Sequence, residues 1–185
     1  MTTTERDRTP PLIVSAAGRS LAAGARQWGG LAAIVIAAVA GDQVTKYLVT
    51  SNLALYDSAR VIGPVRITHL QNSGIAFGFF PTATAGVTAL TAIALVWMLW
   101  FFARAGGRHP VLPTAFGLLI GGSISNLFDR VWLGHVTDFL DLGWWPAFNL
   151  ADSFIVLGVS VLVMTLALPH RPQAPDGIRV DVRAR

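Results

Sequence analysis

Between Thr82 and Ala103, and again between Val111 and Leu127, the chain carries no charged side chain, and two other segments come close to the same condition. A helix needs about 20 predominantly apolar residues to cross the hydrocarbon core of a bilayer. Four stretches qualify, at about Trp28–Val49, Thr82–Ala103, Val111–Leu127 and Ala151–Leu168, the third being the shortest. In lipid the backbone must satisfy its own hydrogen bonds, so apolar runs of this length predict helices. With 53% hydrophobic and only 13% charged residues, and a mean hydropathy of +0.56, the composition fits no ordinary soluble domain. The expected fold class is therefore an all-α membrane protein with four transmembrane helices and a small β-containing extracytoplasmic segment.

Charge placement orients the spans. Arg6, Arg8, Arg19 and Arg26 precede the first, Arg104 and Arg108 separate the second from the third, and Arg171, Arg179, Arg183 and Arg185 follow the fourth. Basic residues accumulate on the cytoplasmic side, so both termini are expected there. A net charge of +4 and a pI near 10.6 would otherwise suit a nucleic-acid binder, but this distribution is the membrane pattern and no nucleic-acid partner is expected. The organisation predicted is a cytoplasmic tail at 1–27, a four-helix membrane domain at 28–168 with its outer segment at about 51–81, and a second cytoplasmic tail at 169–185. The run Leu31–Val39 followed by small residues imitates a cleavable secretory signal. Apolar residues continue through Val49, however, and Asp42 and Lys46 stand four apart on one helical face, so a retained span is the better expectation.

In this topology the polar residues that are candidates for function all fall near the outer face, away from the arginines. Charge at such positions is costly and by default marks a functional site with a partner. In the outer segment, Val61–Thr68 with its central Gly-Pro turn predicts short strands, and Asn72-Ser-Gly74 followed by Phe77, Phe79 and Phe80 reads as a turn and an aromatic belt. Asn126, Asp129 and Arg130 share a helical face, where an Asp–Arg ion pair at a helix end is the bland reading. Gly117, Gly121 and Ser125 recur every fourth residue and predict a face for close helix packing. Asn149 can cap the fourth helix with Asp152 in its first turn. Asp138, set among Val136, Phe139 and Leu140, is a carboxylate that apolar neighbours would desolvate, hence a candidate for proton sharing.

Other chemistries have less support. The chain has no cysteine, which removes thiolate catalysis, disulfides and Cys lipidation. His69, His109, His135 and His170 are scattered without a His-x-x-x-His spacing, so no metal and no cofactor are expected. Ser123 with His135 could imitate an intramembrane serine protease, although Gly121-Gly-Ser123-Ile-Ser lacks the second glycine of a nucleophile elbow. A non-enzymatic transporter or scaffold with an ion relay is the other alternative, but a relay would spread its charges toward both faces.

Asp42-Gln-Val-Thr45-Lys46, Asn72-Ser-Gly74-Ile-Ala76-Phe77, Gly121-Gly122-x-x-x-Asn126-Leu-x-Asp129-Arg130, Gly134-His-Val136-x-Asp138-Phe139 and Pro146-Ala-Phe148-Asn149-Leu-Ala151-Asp152 occur in that order. Together they resemble the ordered motifs of bacterial lipoprotein signal peptidase, or signal peptidase II, over residues 42 to 155. The resemblance implies a four-span aspartic endopeptidase of the cytoplasmic membrane that cleaves prolipoproteins on the amino side of a diacylglyceryl-modified cysteine. It implies Asp138 and Asp152 as the catalytic pair, and a supporting, substrate-binding shell of Asp42, Lys46, Asn72, Gly74, Asn126, Asp129, Arg130 and Asn149. Expected partners are prolipoproteins and membrane lipids, and the expected oligomeric state is a monomer. Two departures stand out: Ser125 occupies the place of a glycine, and the connection from Asp138 to Asp152 is short.

Overall fold

The computed structural model describes residues 21–73 and 83–167. Gly74, the Phe77–Phe80 cluster and most of both tails lie outside the described residues. Among those described, four helices are present: α1 (Ala25–Asn52), α2 (Ala83–Ala105), α3 (Leu112–Leu133) and α4 (Leu150–Ala167). Three strands complete the fold, β1 (Ser58–Ile62), β2 (Val65–Asn72) and β3 (Val136–Asp141). By length and apolarity α1 and α2 can each cross a membrane. α3 is not the shortest helix, as the sequence suggested. It runs 22 residues and carries Asp129 and Arg130 inside its last turns, whereas α4 has 18. The extension ends where Gly134 adopts φ 77° and donates its N–H to Arg130 O, a left-handed cap that a residue with a Cβ would strain.

The helices pack through missing side chains. A Cβ added to Gly117 would lie 2.8 Å from Ile34, and one on Gly121 would lie 2.7 Å from the Ala38 Cβ. Further along, Ser125 meets Asp42 and Asp129 meets Lys46. Both partners advance by fours in the same sense, so α1 and α3 run parallel along the small-residue face that the sequence spacing predicts. α4 lies antiparallel on another face of α3: Gly122 meets Ala151 and Ile155 at one end, and Gly158 meets Ala115 and Leu119 at the other. α2 packs on α3 through Phe101 and Phe102, whose rings lie 5.6 and 5.8 Å from that of Phe116. Leu31, Leu95, Phe102, Leu112, Phe116 and Ile120 form the apolar core. Gly121→Val should therefore force α1 and α3 apart at a cost of about 1–3 kcal/mol. Thermal unfolding in detergent checks this, and a melting temperature unchanged from wild type would show that the interface yields freely.

Beyond the end of α1 the chain forms an antiparallel sheet in the order β1-β2-β3. β1 and β2 occupy the segment where short strands are predicted. β3 corrects the sequence reading, which confined strands to residues 51–81; Val136–Asp141 pairs with β2, placing Leu70 opposite Asp138 and Asn72 opposite Val136. His69, buried at the inner part of β2, anchors the sheet to α1 by a 3.0 Å hydrogen bond between its Nδ1 and Leu53 O.

Exposure is inverted relative to a soluble protein. Leu90, Ile93 and Val96 on α2 and Val156, Val163 and Met164 on α4 face outward, while Asp42, Lys46, Asn126, Asp129, Asp138 and Asn149 are buried. Contiguous apolar faces of this kind mark a surface that meets lipid or a partner.

Candidate active site

The buried polar residues converge where the C-terminal halves of α1 and α3, the start of α4 and strand β3 meet. Asp42 and Lys46, one helical turn apart, form an ion pair of 2.6 Å. Lys46 Nζ also pairs with Asp129 Oδ2 at 2.7 Å and donates a hydrogen bond to Asn126 Oδ1 at 2.9 Å, so one cation meets two carboxylates and an amide. Asp42 accepts from Ser125 Oγ at 2.7 Å and, through its other oxygen, from the Ala151 N–H at 2.8 Å. That second bond satisfies an otherwise orphaned donor in the first turn of α4 and fixes the start of α4 against α1.

Asn126 turns this cluster toward the aspartates. Held at Oδ1 by Lys46, its amide can only present Nδ2 to Asp152 Oδ1, at 2.8 Å. Asp152 and Asn149 cap α4 reciprocally: Asp152 N–H donates to Asn149 Oδ1 at 2.9 Å, and Asn149 N–H donates to Asp152 Oδ2 at 3.2 Å. Asn149 Nδ2 then donates to Asp138 Oδ1 at 2.7 Å, and Asn72 Nδ2, arriving on β2, donates to Asp138 Oδ2 at 2.9 Å. Asn149 thus bridges two carboxylates that come from different elements, one on a strand and one on a helix.

Burial pushes the Asp138 carboxyl up to about 6 from the ordinary 3.8; the Asn72 hydrogen bond opposes this, the Asp152 charge adds to it, and Asn149 and Lys46 oppose it more weakly. An acid poised there can hold a proton close to neutrality, while the amides around it also stabilise its charged form. Beside Asp152 an apolar groove of about 440 Å³ is lined by Trp145, Phe148, Ser153, Val156 and Leu157.

The structure brings together Asp42, Lys46, Asn72, Asn126, Asp129, Asp138, Asn149 and Asp152. Arg130 differs from expectation. It is not the partner of Asp129, which pairs with Lys46, and it makes no hydrogen bond or ion pair with Asp138 or Asp152; its Nη1 reaches Asn126 O at 3.4 Å, and its buried Nε has no hydrogen-bond partner among the described residues. Adjacent helical positions point about 100° apart, so Asp129 and Arg130 look to different neighbours. Ser123 and His135 are not brought together either: Ser123 lies ten residues before the end of α3, about 15 Å along the axis, and His135 lies beyond that end.

Two members of the cluster were not expected in it: Gln43, and Ser125, which the sequence spacing predicts only as part of a packing face. Gln43 Nε2 donates to Ser125 Oγ at 2.9 Å and to Asp129 Oδ1 at 2.8 Å. Ser125, standing in place of a glycine, links Gln43 to Asp42 with its hydroxyl while its neighbours Gly121 and Gly122 keep the helix contacts close. The only sequence signal for Gln43 was its place directly after Asp42.

A family model described as signal peptidase (SPase) II matches residues 34–168. The lipoprotein signal peptidase of Symbiobacterium thermophilum is 36% identical over 143 residues, covering 75% of this chain and 94% of that protein. That of Moorella thermoacetica is 37% identical over 147 residues, covering 79% and 97%. A solved structure described as a bacterial membrane enzyme, determined by the in meso method at 1.9 Å resolution, superposes with a TM-score of 0.70 at 31% identity and covers 75% of this chain and 93% of its own.

Proposed function

Since the chain belongs to the signal peptidase II family, we propose that it is an aspartic endopeptidase that removes signal peptides from prolipoproteins, with Asp138 and Asp152 as the catalytic pair. The observation that carries this reading is the Asn149 bridge, which holds the buried Asp138 carboxylate and the half-buried Asp152 carboxylate, from separate elements, in one hydrogen-bonded unit. Carboxylates in such proximity do not readily both ionise, so the pair keeps one proton. The ionised member takes a proton from the attacking water while the protonated member donates to the scissile carbonyl oxygen; collapse of the tetrahedral intermediate returns a proton to the leaving amine. No acyl-enzyme is required. Asn126, Asn72 and Asn149 orient the carboxylates, and Lys46 acts through Asn126. Arg130, with its unpartnered Nε, is free to hold a substrate carbonyl or headgroup.

All four helices cross the membrane in this reading, with both termini in the cytoplasm and the aspartates near the outer face of the cytoplasmic membrane. Exposed Phe128, Trp132, Trp144 and Trp145 lie at the aspartate end, as side chains at a membrane interface do. A signal helix already in the bilayer would bring its cleavage point to this depth, with its apolar chain in the groove beside Asp152 and the bond on the amino side of the diacylglyceryl-modified cysteine at the pair. Intact-mass analysis of a lipid-modified prolipoprotein incubated with the purified protein tests this: the product should begin at the modified cysteine. Cleavage elsewhere, or none, would overturn the substrate assignment.

The titration of the pair gives a second test. Above about pH 6 the second carboxyl loses its proton, so kcat/KM should fall on the alkaline side with an apparent pKa of the pair in that region. Asn72 stabilises the charged form of Asp138, so Asn72→Ala should move this limb to higher pH. A pH profile unchanged in Asn72→Ala would show that Asp138 does not set the limb.

A further inference from the structure

At the end of the bundle away from the aspartates lies a second cavity, of about 400 Å³, between α2, α3 and α4. Trp97 and Phe101 of α2, Phe116 and Leu119 of α3 and Leu162 of α4 supply its walls, and Arg108 stands at its rim. Along α3, Phe116 is ten residues from Asn126, about 15 Å, so the cavity is separate from the site above. Phe116 and Leu119 are 2% and 8% exposed and form its floor.

Among the described residues, charge at this end is one-sided. Arg108 is exposed and makes no ion pair with any described residue, and Arg104 beside it lies over the Trp100 ring at 5.0 Å. The acidic residues described, Asp42, Asp57, Asp129, Asp138, Asp141 and Asp152, all belong to the opposite half of the bundle, to the sheet or to the turn that leads into it. Aromatic and aliphatic walls under a guanidinium that pairs with no described carboxylate fit a ligand with an apolar chain and an anionic head. In a bilayer the molecule with that chemistry is an anionic phospholipid.

We propose that this cavity binds one acyl chain of an anionic phospholipid, with the phosphate held by Arg108. The inference rests on the membrane placement given under Proposed function. Its test uses the full chain in nanodiscs containing phosphatidylglycerol or phosphatidylcholine with a diazirine in the acyl chain, and locates photolabel by peptide mapping. Ile93 and Val96, on the outer face of α2, report ordinary contact with the bilayer. Phe116 and Leu119 are labelled only by a chain inside the cavity. Their labelling should be several-fold greater from phosphatidylglycerol than from phosphatidylcholine. Arg108→Gln should erase that difference, and Leu119→Trp should erase the label by filling the space. Label on Ile93 and Val96 without label on Phe116 or Leu119 would overturn the proposal while leaving the membrane placement intact. Equal labelling from the two lipids would overturn the role of Arg108 and with it the proposed ligand. No label on any of the four residues would mean that the membrane placement itself has failed.

Discussion

Asp138→Asn should lower prolipoprotein cleavage by at least ~10³-fold while leaving the protein folded in the membrane. The amide occupies the carboxylate's volume and can still accept one hydrogen bond, from Asn72 or Asn149, but it carries neither the charge nor the exchangeable proton that the reaction needs. Stability should move the other way with pH. Because the folded-state carboxyl is raised from 3.8 to about 6, its favourable contribution is complete below 3.8 and lost as pH rises through 6. Asn at this position does not titrate. The melting temperature of wild type should therefore drop relative to Asp138→Asn between those two values, as read by thermal unfolding across that range. A parallel pH dependence in the two proteins would mean that Asp138 is not held with a raised affinity for its proton.

The second large effect belongs to Lys46. Its removal strands Asp42 and Asp129, which are 0% and 2% exposed, without the cation that compensates both. Breaking a buried pair in this way costs about 3–5 kcal/mol. For a chain of this size that is a fall in melting temperature of roughly 6–20 °C. Lys46→Met is the suitable variant because it keeps the length of the stem. Adding Asp42→Asn and Asp129→Asn to Lys46→Met should recover part of the lost stability, since the stranded charges are then gone. If Lys46→Met melted like wild type, the Asp42–Lys46–Asp129 cluster would not be what holds α1 against α3.

The local parts of this site were legible in the sequence, and its long-range parts were not. The four-residue spacing of Asp42 and Lys46 announces their contact because a helix brings such positions together. The spacing of Gly117, Gly121 and Ser125 likewise announces a packing face, and Asn149 with Asp152 announces a helix cap. What one segment cannot say is which residue of another it will meet. Asp129 and Arg130 looked like a local ion pair until α1 supplied Lys46. Gln43 lies about 100° around the helix from Asp42, so nothing in the spacing joined it to the cluster. β3 was missed because Val136–Asp141 has four consecutive buried residues rather than an alternating pattern, and it is a strand by virtue of pairing with β2. Ser125, which broke the family pattern, gains its role from Gln43 and Asp42 on the neighbouring helix.

Asp152 is where structure and chemistry most need to be separated, because its hydrogen bonds with Asn149 would cap α4 whether or not it takes part in a reaction. The most direct measurement is therefore the single-turnover rate of prolipoprotein cleavage by wild type, Asp138→Asn, Asp152→Asn and the double variant in a bilayer, with the melting temperature of each taken alongside. If the two carboxylates work as one unit, both single variants lose cleavage and the double variant loses little more, with α4 still folded. An Asp152→Asn protein that cleaves at a rate near wild type but melts earlier would contradict the account, leaving Asp152 as a helix cap and Asp138 without its partner.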